Sequence, residues 1–360
     1  NMYNFSPKNT MKLAQTLYEN GFITYMRTDN AKYSKDFIDT TIQYIENKWN
    51  SKYINQKIDG ISLREEKKEK KDEKKDEKKD LAQEAHEAIR PTNIFTETIQ
   101  NNPKIGKYEL KLYQLIWKNS LESCMSSSMY DVILSTITSP ESYVYKNSTE
   151  KNIFPGWEAV DGVELTNDVF EYLYSIFNGD KSKKVSYSEI KSDMAIKKLK
   201  SHYTEARLVQ LLEKNGIGRP STFSSLVSKI IDRGYVIKTN IPGKKLECIN
   251  YSLNNGEEIS ESKKNRTFGE EKNKLKIEPI GVVVIDFLNK YFDNMFNYKY
   301  TKEMEDHLDT ISEGKYSLKK LCDSCRNELD NSISCITNNK NMNNKNNKND
   351  KNDKNGDTFQ

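Results

Sequence analysis

The sequence predicts an α+β protein of several domains, with helical blocks toward either end, a β-rich segment between them and a polar tail. Three observations carry that prediction. Apolar residues recur at helical spacing over 7–19, 35–49, 108–123, 204–236 and 281–296. Between 129 and 195, the stretches DVILSTIT, FPGWEAV and KKVSYSEI alternate in the manner of strands. Beyond Thr337 the chain is nearly all Asn, Lys and Asp, a composition with too little apolar surface to offset the entropy of ordering.

The first helix, PKNTMKLAQTLYE, places Met11, Ala14, Leu17 and Tyr18 on one face. Thr10 is suited to cap it and Gly21 to end it. FITYM follows as a short strand, so Tyr25 falls at a strand end just past a helix–glycine turn, and Thr28-Asp29-Asn30 reads as the next turn. A second helix is expected over Lys35–Trp49, with Phe37, Ile38, Thr41, Ile42 and Ile45 inward. The run EEKKEKKDEKKDEKKD at 65–80 holds eight acids and eight lysines, so it is neutral and has no apolar face. It reads as a disordered low-complexity insertion. LAQEAHEAIRPT at 81–92 returns to a globular composition, and a third helix near Tyr108–Ser123 turns Leu112, Leu115, Ile116 and Trp117 inward.

Past the β-rich segment, TEARLVQLLEKNG buries Leu208, Leu211 and Leu212 and stops at Gly216. PSTFSSLVSKIIDRGYV starts at Pro220, with Ser221 as its cap, and ends at Gly234. The two helices form a helix–turn–helix-like unit over 204–236. Residues 251–276 read as a second polar insertion. Val284, Leu288, Tyr291, Phe292 and Met295 then mark an amphipathic helix. The resulting division is 1–126, 127–199, 200–330 and a disordered tail over 331–360.

The totals exclude little. Lys and Arg number 57 against 53 acids in 360 residues, and a net charge of +4 does not by itself indicate a nucleic-acid partner. The five cysteines are an odd count, mostly far apart, which favours a reducing, intracellular setting over a secreted disulfide framework. The longest aliphatic run, Ile280–Leu288, contains Asp286 and is too short to span a bilayer, so no membrane partner is expected. No targeting peptide is readable, and the chain opens as if in mid-domain, so a missing N-terminus is expected.

Chemistry concentrates in three islands: GFITYMRTDN at 21–30, AHEAIRPT at 85–92 and GIGRPSTF at 216–223 with its trailing IIDRGYV. Each sets arginine and a hydroxyl or histidine beside a Gly or Pro turn. Arginine offers a planar fork of donors and a helix start offers unpaired N–H groups, both suited to phosphate. Three such islands in one chain suggest a shared phosphodiester.

These stretches, together with NYKYTKEMEDHLDTISEGK at 297–315, resemble in order the motifs of the type IA DNA topoisomerases. ITYMRTD, and FPGW at 154–157, are similar to the bacterial topoisomerase I branch. The resemblance covers roughly residues 1–325. It implies a catalytic tyrosine domain over 1–126, part of a β-rich gate or hinge domain over 127–199 and a helical strand-binding domain over 200–330. It further implies ATP-independent cleavage of one DNA strand through a 5′-phosphotyrosine link, strand passage and resealing, which relaxes negatively supercoiled DNA. Tyr25 would be the nucleophile, Arg27 would contact the scissile phosphate, and His86 would assist binding and proton movement. Arg219, Thr222 and Arg233 match family positions that touch the DNA strand; Asp29, which would orient Arg27 or bind backbone N–H groups, and Arg90, which flanks His86, are also expected to be DNA-binding. Asp29 serves equally as a turn cap, and Arg90 equally as a structural residue. Tyr203 and Phe223 could stack on bases or pack in a core.

The family's magnesium-binding DxDxE module has no counterpart here, so Mg2+ is expected on a missing domain and no metal is expected on this chain. CDSC at 322–325 with Cys335 lacks a fourth zinc ligand. The expected partner is single-stranded DNA within supercoiled duplex, engaged by a monomer. The expected location is intracellular, extending to a DNA-containing organelle or the nucleus if the host is eukaryotic. The rival reading is a non-catalytic DNA-binding protein using 204–236, with Tyr25 buried.

Overall fold

Helix α1 forms over Pro7–Glu19. Proline is suited to this first turn because its missing N–H would have no partner there, so Thr10 lies inside the helix and does not cap it. Ala14 and Leu17 face the core, as their spacing predicts. The helix ends where Phe22 N–H bonds to Leu17 O (3.0 Å) and Gly21 N–H to Tyr18 O (2.9 Å), with Gly21 at φ +75°. That paired closure needs a left-handed residue, and glycine adopts it without a Cβ clash.

This computed structural model describes residues 3, 5–63, 87–100, 102–139, 142–163, 166–179 and 185–352, with side chains to 337. The insertion expected at 65–80 lies outside the described residues. The chain divides into two compact units, one of residues 9–196 and 246–266, the other of residues 1–8, 197–245 and 267–360.

In the first unit, α2 (Lys35–Lys48) buries Phe37, Ile38, Thr41, Tyr44 and Ile45, and α3 (Lys107–Ser123) buries Leu112, Tyr113, Trp117, Ser120 and Leu121. These join Ala14, Leu17, Ile23, Met26, Ala88 and Ile94 in one core. Helix α3 also fastens the loop before it. Trp117 Nε1 donates to Ile94 O at 2.7 Å and the Tyr113 hydroxyl to Thr96 O at 2.5 Å. Burial pushes the Tyr113 phenol up to about 12.

The β-rich expectation holds for DVILSTIT, which lies in β1 (Met129–Thr138) and pairs antiparallel with β2 (Val144–Phe154). It misses α4 (Asp168–Asn178), where Phe170, Leu173, Tyr174 and Phe177 recur at helical spacing and the Asn167 side chain caps the N–H groups of Val169 and Phe170. KKVSYSEI contributes only to β3 (Glu189–Ser192), and FPGWEAV turns through a short 3-10 helix at Gly156–Val160. Gly156 sits at φ +51°, and a Cβ there would stand 2.5 Å from Ser126 O.

The second unit contains α5 (Glu205–Lys214), α6 (Phe223–Asp232), α7 (Pro279–Tyr291), α8 (Tyr298–Ser312) and α9 (Leu318–Asn352). Residues 251–276, read from sequence as a polar insertion, have regular structure, and those to 266 belong to the first unit. After β4 (Val236–Ile241), those residues lie largely in β5 (Lys244–Asn254), β6 (Ser260–Phe268) and β7 (Glu271–Ile277). β7 pairs antiparallel with β4, and β5 lies between β3 and β6. β6 is solvated on both faces, so its backbone ladder specifies it and no apolar alternation announces it. Helical backbone continues along the tail to Asn352. No proline or glycine interrupts the run between Leu318 and Gly356. Among the described residues no helix is long and apolar enough to cross a membrane.

The close approach at Gly156 makes an explicit prediction. Gly156→Ala should destabilise the first unit by about 1–3 kcal/mol, combining left-handed strain with a backbone clash. Urea unfolding followed by tryptophan fluorescence reads this, and an unchanged midpoint would contradict it.

Candidate active site and DNA-contacting loop

Tyr25 lies on a segment with little regular structure of its own. FITYM is not a strand; its one ladder contact is an isolated antiparallel bridge from Ile23 to Pro91. Its backbone groups are met instead by residues 88–92. Thr24 N–H donates to Arg90 O (3.0 Å) and Thr92 N–H to Phe22 O (3.0 Å). The Thr24 hydroxyl donates to Ala88 O (2.9 Å) and accepts from Arg90 N–H (3.0 Å). Thr92 Oγ1 closes the far end on Gly21 O at 2.7 Å. Two of the islands, far apart in sequence, thus form one structure.

Met26 anchors the segment from beneath at 4% exposure, while Tyr25 on one side is half-buried and Arg27 on the other is exposed. The backbone bends at Met26 and Arg27, so the two flanking side chains sit away from the core by virtue of that anchor and not through a continuing strand. The Tyr25 ring meets the Tyr18 ring edge-on, with centroids 5.3 Å apart. Among the described residues Arg27 and Asp29 make no ion pair. The turn after them is closed by Thr28 Oγ1, which accepts from Asn30 N–H, and by Asn30 Oδ1, which accepts from Lys32 N–H. Asp29 is therefore an exposed carboxylate and not the cap of this turn. Nothing in the sequence marks Thr24 or Met26, since a Thr between two apolar residues has no distinguishing signal.

Arg90, expected beside DNA, is committed to the protein. Its Nε and Nη2 donate to both oxygens of Glu87 (2.9 and 2.7 Å), its Nη1 donates to Pro91 O (3.0 Å) and its plane lies 4.5 Å above the Phe37 ring. Glu87 also accepts from Ser34 N–H at 3.0 Å. Burial acts to raise the Glu87 carboxyl, but the Arg90 fork and the Ser34 N–H outweigh it and hold it below its ordinary value. His86 lies outside the described residues.

The second unit holds the remaining site residues. Helix α6 begins at Phe223, so Pro220 and Ser221 form the turn before it and do not start the helix. Thr222 Oγ1 accepts from Arg219 N–H at 2.9 Å, closing that turn. Gly218 at φ +85° tucks beneath it, where a Cβ would stand 3.0 Å from both Leu226 Cδ1 and Thr222 Oγ1. Arg219 Nη2 donates to Asp309 Oδ2 at 2.7 Å and Nη1 to Gly218 O at 3.1 Å. Arg233 closes the far end of α6 with its backbone; its side chain is exposed and makes no ion pair among the described residues. Tyr203 is exposed and Phe223 partly buried. Tyr25, Arg27, Asp29 and Arg90 thus share one unit, and Arg219, Thr222 and Arg233 the other.

Tyr25 and Arg27, which makes no ion pair among the described residues, thus share a loop clamped by a second motif. The family model described as DNA topoisomerase matches residues 1–264, and the chain belongs to that family. It is 34% identical over 317 residues to DNA topoisomerase 1 of Haemophilus influenzae, covering 88% of this chain and 30% of that protein. It is 31% identical over 330 residues to the prokaryotic-type DNA topoisomerase 1 of Acanthamoeba polyphaga mimivirus, covering 87% and 36%. The full-length topoisomerase I of Thermotoga maritima superposes with a TM-score of 0.62 at 26% identity, over 91% of this chain and 46% of that one. The chain therefore spans about a third of the length of these curated relatives.

Two predictions follow from the clamp. Thr24→Val keeps the shape but leaves Ala88 O and Arg90 N–H short of a partner, and should cost about 1–3 kcal/mol in chemical unfolding. Because the Glu87 carboxyl sits below its unfolded value of about 4.5, its contribution is complete above that pH and is lost as pH falls through the folded value. Melting temperature measured from pH 6 to pH 3 should fall more steeply for the wild type than for Glu87→Gln. Parallel curves would contradict the assignment.

Proposed function

We propose that this chain carries the tyrosine half of a type IA DNA topoisomerase reaction. What supports the reading is the placement of Tyr25 and Arg27 on either side of the buried Met26, on a segment held by residues 88–92. The phenolic oxygen attacks a backbone phosphorus of one strand, forming a P–O bond to tyrosine as the bond to the 3′-oxygen breaks. The phenol proton passes to a nearby acceptor, and the departing 3′-oxygen takes one up. One phosphodiester replaces another, so resealing by the reverse step requires no ATP.

A phenol ionises near pH 10, so at neutral pH the attack needs a cation on the phosphate and a proton acceptor. Arg27 supplies the cation; loss of such a preorganised donor costs on the order of 3 kcal/mol of barrier. His86 is assigned to proton movement, and Arg219, Thr222 and Arg233 to fixing the strand's phosphate register, with Asp29 at the edge of the same surface. Arg90 positions the tyrosine loop through Glu87 and Pro91. Among the described residues no three His, Cys, Asp or Glu side chains converge as a metal site requires. The family's Mg2+ is assigned to a part of the fold outside this chain. The working setting is intracellular and the working species a monomer on single-stranded DNA.

The isolated chain should bind a single-stranded oligonucleotide yet leave a negatively supercoiled plasmid unrelaxed. With the metal-bearing part of a relative supplied, a 3′-labelled oligonucleotide should become covalently attached to the wild type and not to Tyr25→Phe. An adduct that survives in Tyr25→Phe would overturn the assignment of the nucleophile.

A further inference from the structure

Helix α8 lays one face along the loop that carries Arg219. Lys302, Glu305 and Asp309 stand at i, i+3 and i+7, a single stripe of the helix. The Lys302 stem lies over Gly216, with its Cγ 3.2 Å from where a Cβ would be. Glu305 Oε2 stands 3.8 Å from Arg219 Nη1, and Asp309 Oδ2 2.7 Å from Nη2. Around this guanidinium, two carboxylates face one positive charge. Lys302, one turn earlier on the stripe, makes no ion pair among the described residues. Arg219 and Asp309 are 34% and 35% exposed, so the pair is reachable from solvent. Arg219 thus differs from Arg90, whose fork is sealed on Glu87 at 13% exposure.

A phosphate approaching Arg219 meets a guanidinium already matched by acids, and a third anion beside two carboxylates is repelled. The backbone of Arg219 is locked by Thr222, so the loop does not carry the guanidinium away from them. The carboxylate is the partner that must give way.

We propose that Asp309 is the resident counter-ion of Arg219 and sets how tightly a DNA strand is held there, by being displaced when a phosphate binds. This rests on the reading of Arg219 as a strand contact. Asp309 touches no reacting atom; it is a positioning residue that acts through Arg219. Displacement keeps grip on the strand weak enough for the strand to be released, and it leaves a signature in salt. A phosphate neutralised by Arg219 releases a cation from the DNA, while the freed Asp309 takes one back, so the site adds little to the salt slope.

The test is binding of fluorescent oligo-dT to the full 360-residue chain across a salt series. Asp309→Asn retains an acceptor for Arg219, and circular dichroism checks that helix content is kept. It should tighten binding by about 3–10-fold at 0.1 M salt and steepen the log–log salt slope by roughly 0.7, one further phosphate in a single strand. Glu303→Gln, on another face of α8, should change affinity less than about twofold, and Asp309→Asn placed on Arg219→Ala should give no gain. Weaker or unchanged binding by Asp309→Asn, where Arg219→Ala does weaken binding, overturns the counter-ion proposal alone. If Arg219→Ala has no effect, or the wild type binds no oligonucleotide, the strand-contact reading fails and the proposal falls with it.

Discussion

The Thr24 hydroxyl, donating to Ala88 O and accepting from Arg90 N–H, is the contact on which the tyrosine loop depends. A segment with one isolated bridge has few partners of its own for its backbone polar groups, and such groups are costly to bury unmet. Residues 88–92 supply those partners, and in doing so they set where Tyr25 can be. Gly21 turns the chain out of α1 in the direction needed to meet them. Ile23, Met26 and Ala88 hold the seam to the core from inside. Arg90 reinforces it from outside, with Glu87, Ser34 and Phe37 around its guanidinium.

The second unit uses a related device for a different end. There the loop 216–222 is closed by its own turn, and a separate helix, α8, contributes the acids that meet Arg219. The contrast among arginines is chemical. Arg90 has its fork filled in a half-dry pocket and stabilises the protein. Arg219 is matched by two carboxylates at the surface. Arg27 and Arg233 are exposed and make no ion pair among the described residues, which suits a contact completed only by a ligand. Charge alone, at +4 over the whole chain, conceals this division of labour.

Much of the helical framework was legible because its causes are local. Apolar spacing in α1, α2 and α3, and glycines at helix ends, act within a turn or two of sequence. Strand β6 was not legible, since polar residues solvated on a ladder carry no period that distinguishes them from a loop, and β7 offers only Leu275 and Ile277 as an apolar alternation. Helix α4 was missed for the opposite reason: its aromatic, β-compatible composition outweighed a spacing that was present.

The motif residues themselves, Tyr25 and Arg27 among them, were determined by sequence, as was the family to which their order pointed. Tertiary structure alone decided which islands meet: 21–25 with 88–92, and 216–222 with 302–309. It also decided that Arg90 serves the fold while Arg219 faces an acid. The physical reason is that hydrogen bonds and ion pairs depend on distance in space, and a side chain's neighbours some 60 to 90 residues away leave no trace in its local sequence.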